Sequence, residues 1–386
     1  MAENVLERME RIDAKRKIAD FMVKEQMPYS FKVNYAKIRA FEFVRECEKR
    51  DLNYHVSVGG LDSIVLLLFL RSIGIDAPAI SVSTLEDASI QRIHRELGVI
   101  RVPPAIHHVD ENGVVHRWTK HRIIQEFGFP VLSKEIASKI ELLQNPSDKN
   151  KTVRHAIITG ETGEYGGNQE HSRMKLPQKW LSLFGGYENE TEGTFYGIPP
   201  FKVSAKCCYY LKEKPCDDWA REHNSVPFLG IMASEGGRRA KSLRINGCNY
   251  FGATTTRSAP FAIFQRQDIL QLALDLKAPI PEIYGKIELL QDGTLRTTKA
   301  QRTGCNMCGF GIHIEPRPNR FDLLKERNPK AWDYWMFNVC KDETGQRYGW
   351  ARVLDYIGID WRDIPEQQTI FDMFKIGGEQ IENQHN

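Results

Sequence analysis

Two pairs of cysteines, Cys207-Cys208 and Cys305-x-x-Cys308, constrain the fold of this chain more than any other feature. A solitary free cysteine is usually buried and inert. A vicinal pair and a C-x-x-C can instead bring four thiolates to one point, and such a set binds a soft centre: tetrahedral zinc or an iron–sulfur cluster. From 208 to 305 is 97 positions, so only tertiary folding can join the two halves. Structural zinc sites more often have two C-x-x-C-like arms. Adjacent cysteines have diverging side chains; they fit one small ion poorly and can serve two irons of a larger cluster more easily. On the residues alone, zinc and a cluster both stay open. Cys216 is a reserve ligand, and Cys47, Cys248 and Cys340 read as core residues.

The chain has 386 residues, 41% of them hydrophobic and 27% charged, which suits one large soluble domain with additions, or two domains. A net charge of +3 gives no global signature of nucleic-acid binding. Met1 to Asp20 is charged throughout and does not read as a secretory signal. The longest apolar run, Ile64 to Leu70, is too short to span a bilayer. That run predicts no membrane partner, and eight cysteines in such a chain point to a reducing cytoplasm and metal ligation rather than disulfides.

Residues 1–52 predict two helices, from the spacing of Val5, Met9, Ile12 and Ile18 and from the mixed pattern of Tyr35 to Lys49. Tyr54 to Val58 reads as a strand, Ser63 to Ile73 as a helix, Ala79 to Ser83 as a strand and Ser89 to Leu97 as a helix. That alternation predicts a parallel sheet with right-handed crossovers. Ala156–Thr159 and Phe228–Met232 are further strand candidates, and Asp322 to Met336 reads as one helix. Residues 160–200 suggest a long loop or lid, 305–320 a metal-organised loop, and the segment after Ile376 a mobile tail.

Between the first strand and its helix stands Val58-Gly59-Gly60-Leu61-Asp62-Ser63. Paired glycines let backbone N–H groups turn toward an anion, the helix adds its positive end, and Ser63 can donate a hydroxyl. Asp62 can hold the turn or orient a magnesium ion. A tight strand-to-helix turn is the plainer reading of the same residues, since no Gly-Lys-Ser/Thr follows. Arg238, Arg239 and Arg244 follow a predicted strand, where guanidinium forks suit phosphate oxygens.

The strand, the Gly-Gly-x-Asp-Ser turn and the helix resemble the pyrophosphatase loop of the PP-loop ATPase superfamily. Within it the chain resembles the phosphoadenosine-phosphosulfate (PAPS) reductase family. Phe129–Glu135, the cysteine-pair segment Lys206–Pro215, the glycine–arginine loop Gly230–Arg239, and Phe264–Asp268 with Ile280–Tyr284 match that family in order, over roughly residues 50 to 340. The resemblance implies a doubly wound parallel α/β sheet of the adenine-nucleotide α-hydrolase type over 53–275. A helical extension, 1–52, precedes it, and a segment completing the cluster site, 276–386, follows.

The resemblance further implies a [4Fe-4S] cluster on Cys207, Cys208, Cys305 and Cys308. It implies an adenine nucleotide, ATP or adenylyl sulfate, held by Ser57, Gly59, Gly60, Asp62, Ser63, Arg238 and Arg239, with a magnesium ion. Lys206, beside the pair, would set the field around a bound phosphate or sulfate; alone it reads as a solvated charge.

The sequence departs from the family in three places. Val58 stands for a serine, Leu61 for a frequent lysine, and no cysteine follows Cys340 where sulfonucleotide reductases carry a nucleophilic Glu-Cys-Gly-(Ile/Leu)-His tail. Lys206, Cys216 and Cys340 are the candidate catalytic residues in its place.

Three functions follow from these readings. One is a sulfonucleotide-reductase-like enzyme served by a thiol reductant. The second is an ATP pyrophosphatase that adenylates a nucleic-acid acceptor for sulfur insertion from a sulfur donor. The third is a non-catalytic, zinc-stapled interaction module.

Overall fold

The computed structural model describes residues 5–82, 86–162, 172–187 and 196–362, and the side chains of 5–12 and of Arg238 lie outside that description. The chain divides into two compact units, Met1–Trp332 and Asp333–Asn386.

The first unit opens with the two expected helices, α1 (Val5–Glu25) and α2 (Tyr29–Lys49). A strand β1 (Asn53–Ser57) then leads through the Gly59-Gly60 turn into α3 (Leu61–Ser72). The pattern repeats with β2 (Ala79–Ser81), α4 (Ala88–Glu96) and β3 (Ile100–Arg101). The six-stranded sheet runs β3, β2, β1, then Ser225–Leu229, Thr256–Ser258 and Asn249–Phe251. All neighbours are parallel except the last pair. The register pairs Val56 with Ala79 on one side of β1 and with Phe228 on the other.

Both faces of the sheet are buried, as a parallel sheet requires. On one face Val56 and Phe228 join Phe43 of α2 and the apolar α3 in a single cluster. Phe43 packs edge-on against Phe228 with centroids 4.8 Å apart. Each such fully buried side chain contributes roughly 1.5–3 kcal/mol. On the other face Ile80, Val82 and Val102 pack with Cys216 and Trp219 of the helical segment 206–222.

Because the chain winds outward from β1 in both directions, β1 and Ser225–Leu229 flank a topological switch point. Loops at the carboxyl ends of such strands form a ligand crevice. Here they are the Gly59-Gly60 turn and the segment after Leu229. Gly230 ends its strand because it lies on α3: a Cβ there would come within 2.9 Å of Ser63 Cα.

Several expectations need correction. Ala156–Thr159 is the end of a helix, Lys151–Thr159, capped by Gly160 in the left-handed region at φ 88°. A four-residue apolar run does not distinguish strand from helix, and Gly160 is the stop signal that decides. The strand expected at Phe228–Met232 is Ser225–Leu229. Asp322–Met336 is two helices, Arg320–Arg327 and Pro329–Phe337, because the residue before a proline is driven out of helical geometry. Within 160–200 the described part holds a helix, Gln178–Phe184. Residues 163–171 and 188–195, Ser83 and the expected mobile tail lie outside the described residues.

In the second unit, Cys340–Lys341 and Arg347–Tyr348 pair antiparallel. The helix Trp350–Ile357 buries Trp350, Val353 and Leu354. Among the described residues no helix is long and apolar enough to cross a membrane.

Candidate functional site

The glycine turn is held from three directions. Ser57 closes β1, and the Val58 side chain after it is buried. The Gly59 N–H donates to Ser63 Oγ at 2.7 Å, and that hydroxyl donates to the Gly60 carbonyl at 2.9 Å. Ser63 therefore closes its own loop instead of offering its proton to a ligand. From α4, His94 Nε2 meets the Gly59 carbonyl at 2.8 Å; the acceptor is a carbonyl, so Nε2 carries the proton. Burial holds His94 below the ordinary histidine range, which keeps the ring neutral. The Leu61 N–H donates to Tyr284 Oη at 3.1 Å, and a Cβ on Gly60 would lie 2.5 Å from that oxygen. A glycine is required here by close approach and not by φ, which is −79°. Among the described residues the N–H groups of Gly60, Asp62 and Ser63 have no backbone or side-chain partner.

Beside the turn opens a cleft of about 380 Å³, lined by Asp62, Ser234, Glu235, Arg266, Gln301 and Arg302 among others. Asp62 is ion-paired with Arg266 Nη1. Burial pushes the Asp62 carboxyl above the usual carboxylate range, against the pull of Arg266. Glu235 accepts Arg239 at 2.6 Å and Arg302 at 3.4 Å. Arg244 lies elsewhere: it pairs with buried Glu25 at 2.9 Å and ties α1 to the Gly237–Asn246 helix. A larger cavity, about 1020 Å³, lies at the amino ends of β1 and Ser225–Leu229. Asp51, Asp76 and Glu222 line it with no lysine or arginine, so it suits a phosphate poorly.

The two cysteine segments meet through a strap, residues 128–132. Phe129 N–H donates to the Lys202 carbonyl at 2.8 Å, and Ser204 N–H donates back to Phe129 at 3.2 Å. Two residues further, Val131 and Leu132 pair in parallel with Gly309 and Phe310, directly after Cys308. Gly128 makes this possible: its φ is 110°, and a Cβ would fall 2.2 Å from the Lys202 carbonyl carbon. Within the C-x-x-C, Cys308 N–H donates to the Cys305 carbonyl at 3.0 Å, and buried Met307 takes a left-handed φ of 54° to close the turn.

All four thiols lie within electrostatic reach of one another. Cys207 responds to Cys305, Cys208 and Cys308, and Cys208 to Cys308 and Cys305. Burial pushes Cys207 and Cys305 far up and Cys208 to about 12. Lys120, Lys134 and Lys212 oppose that shift. Lys212 bonds both Cys305 and the buried carboxylate Glu86. Among the described residues no group of three or more His, Cys, Asp and Glu side chains is placed so that it could hold a metal ion.

The remaining candidates have these neighbours. Lys206 points to Glu141, 3.9 Å away, and the cations beside the thiols are the three other lysines. Cys216 is packed on the sheet and pushed up to about 11 by burial. Cys340 is buried in the second unit, bonded to Tyr348 and also pushed up to about 11.

The turn and the thiols share a wall. Tyr284 Oη, which takes the Leu61 N–H, also bonds Thr303 Oγ1 at 2.6 Å, two residues before Cys305. Sequence reasoning missed Tyr284, Arg266, Arg302 and Lys212 as site residues. For Lys212 a signal existed, its position four residues after Cys208; the others depend on contacts across more than 200 residues or on loop packing. Compared with models of known protein families, with curated proteins and with solved structures, the chain matches none.

Proposed function

We propose that this chain is an iron–sulfur enzyme that binds an adenine nucleotide, ATP or adenylyl sulfate, at the Gly59-Gly60 turn. It performs sulfur chemistry beside that nucleotide, in the manner of the PAPS reductase family. The observation that carries the reading is the hydrogen-bonded path from Leu61 through Tyr284 to Thr303, which sets the anion-binding turn against the C-x-x-C loop.

The donor set fits a cluster. Its four thiols are soft ligands, and burial makes free thiolates costly at Cys207, Cys208 and Cys305, so coordination to iron would be the natural way for those three to lose their protons. Lys120, Lys134 and Lys212 offset the negative charge of such a centre. The cluster would supply a place to hold or activate sulfur. The N–H groups of Gly60, Asp62 and Ser63 at the start of α3 would take a phosphate, helped by the helix dipole. Asp62 is the carboxylate at hand for a magnesium ion.

Between the two sulfur chemistries, the packing of Cys216 and Cys340 favours the ATP-dependent one. A thiosulfonate route needs an accessible, activated thiolate, and both thiols are raised by burial. In the ATP-dependent reaction an acceptor oxygen of a nucleic acid attacks the α-phosphorus and pyrophosphate leaves. A sulfur donor then displaces AMP.

Anaerobic purification tests the reading. We expect brown protein with about four irons per chain; zinc without iron would point to an interaction module instead. Cys305→Ser should lose the iron, whereas Cys248→Ser, buried beside Tyr35, should keep it. Pyrophosphate release from ATP identifies the sulfur-insertion route, and reductant-dependent sulfite release from adenylyl sulfate identifies the reductase route. Absence of binding by either nucleotide removes the proposal.

A further inference from the structure

We propose that Arg266 is the receptor of a second anion subsite in the cleft, taking the terminal oxyanion of a nucleotide's 5′ chain while the Gly59-Gly60 turn takes the inner phosphate. Its link to a nucleotide rests on the function proposed above; the subsite itself rests on the following geometry.

Arg266 presents a planar fork of five N–H donors. Nη1 is engaged by Asp62, but Nε and Nη2 are buried and have no partner among the described residues. Buried unpaired donors are rare in folded proteins, and a guanidinium edge is shaped for two oxygens of a phosphate or sulfate. The residue lines the cleft of about 380 Å³, at the start of the ten-residue helix Arg266–Asp275, so the positive end of that helix adds to its field. The ionic groups that line it are Arg266 and Arg302 against Asp62 and Glu235, and Arg239 pairs with Glu235 at 2.6 Å from outside the lining. Arg302 is largely exposed and bonded to Glu235 at 3.4 Å, so it is free to swing onto an anion held by Arg266.

The cleft adjoins the turn through Asp62, whose side chain reaches Arg266 from the first turn of α3. One ligand can therefore span both places. For ATP the outer group is the pyrophosphate end, and for adenylyl sulfate it is the sulfate.

The test measures equilibrium binding of AMP, ATP, adenylyl sulfate, inorganic pyrophosphate and inorganic sulfate to the full chain, in EDTA. In the parent protein pyrophosphate or sulfate should compete with the nucleotide that carries it. Arg266→Gln should weaken ATP or adenylyl sulfate about 10- to 100-fold and abolish binding of the free anion, while AMP changes less than about threefold. Arg266→Lys, which keeps the charge and loses the fork, should fall between. Arg221→Gln, an exposed partner of Asp218, should match the parent.

Asp62→Asn separates a receptor from a structural arginine. Freed of its carboxylate, Arg266 should bind the free anion as well as before or better. Loss of anion binding equal to that of Arg266→Gln would show that Arg266 only holds Asp62, and would overturn the proposal. So would parent-like ATP, adenylyl sulfate and anion affinities in folded Arg266→Gln, a result that leaves nucleotide binding intact. Arg266-dependent binding of free anions, with neither ATP nor AMP bound, would instead keep the subsite and remove the nucleotide reading.

Discussion

At Cys305 burial drives the thiol up, Lys212 and Lys120 draw it down, and Glu86 and Cys308 push it up again. Nothing in the local sequence Gly-Cys-Asn-Met-Cys announces those cations or Glu86, so the thiol was legible and its field was not. The same division holds at Arg266, which reads from sequence as one polar residue among Gln265, Gln267 and Asp268. Its buried unpaired donors exist only because α3 brings Asp62 to it. His55 offers a test at this scale. It is buried against Ser225 Oγ at 2.7 Å, and desolvation lowers it from 6.5 to about 4. The folded state thus binds a proton less readily than the unfolded chain. Its contribution is full above pH 6.5 and is lost as pH falls toward about 4, by up to about 3 kcal/mol. Urea unfolding at pH 7.5 and pH 5 should show a smaller loss on acidification in His55→Asn than in the parent; an equal loss would contradict the assignment.

Among the elements, the strap at 128–132 has the largest consequence. It pairs with 202–204 on one side and with Gly309-Phe310 on the other, and so fixes both cysteine segments. Phe129-Pro-Val-Leu carries a family resemblance in the sequence, but its partners do not show there, because parallel bridges leave no local signature. Gly128→Ala places a Cβ into the Lys202 backbone at a φ of 110°. We expect a loss of about 3 kcal/mol or more, together with reduced iron in protein that still folds. Thermal unfolding and iron content, measured on the same preparation, check both; parent-like values would remove the strap from the account. Elements with strong signals, α2, β1, α3 and α4, lie within a residue or two of expectation except at the start of α2. The Ala156–Thr159 segment misleads because four apolar residues carry no period long enough to read.

For the whole molecule, the sheet order matters most, because it opens a crevice between β1 and Ser225–Leu229. Tyr284 reaches that crevice from a loop 223 residues beyond Leu61 in the chain and joins it to Thr303. Tyr284→Phe removes both bonds. It should cost about 1–2 kcal/mol. If the proposed cluster and nucleotide are bound, it should also uncouple them: visible circular dichroism of the cluster should respond to added nucleotide in the parent and not in the variant, with iron content equal. A retained response would place the coupling elsewhere.

The sequence by itself determined the chemical groups on offer, four thiols in two pairs and a glycine turn, because residue type and the spacing within each motif are local properties. It also determined the alternating α/β order, because hydrophobic period is a local quantity. The tertiary structure decided which charges face the thiols, which arginine enters the cleft and which tyrosine closes the turn. Those outcomes depend on distances between residues far apart in the chain, set by packing a common core.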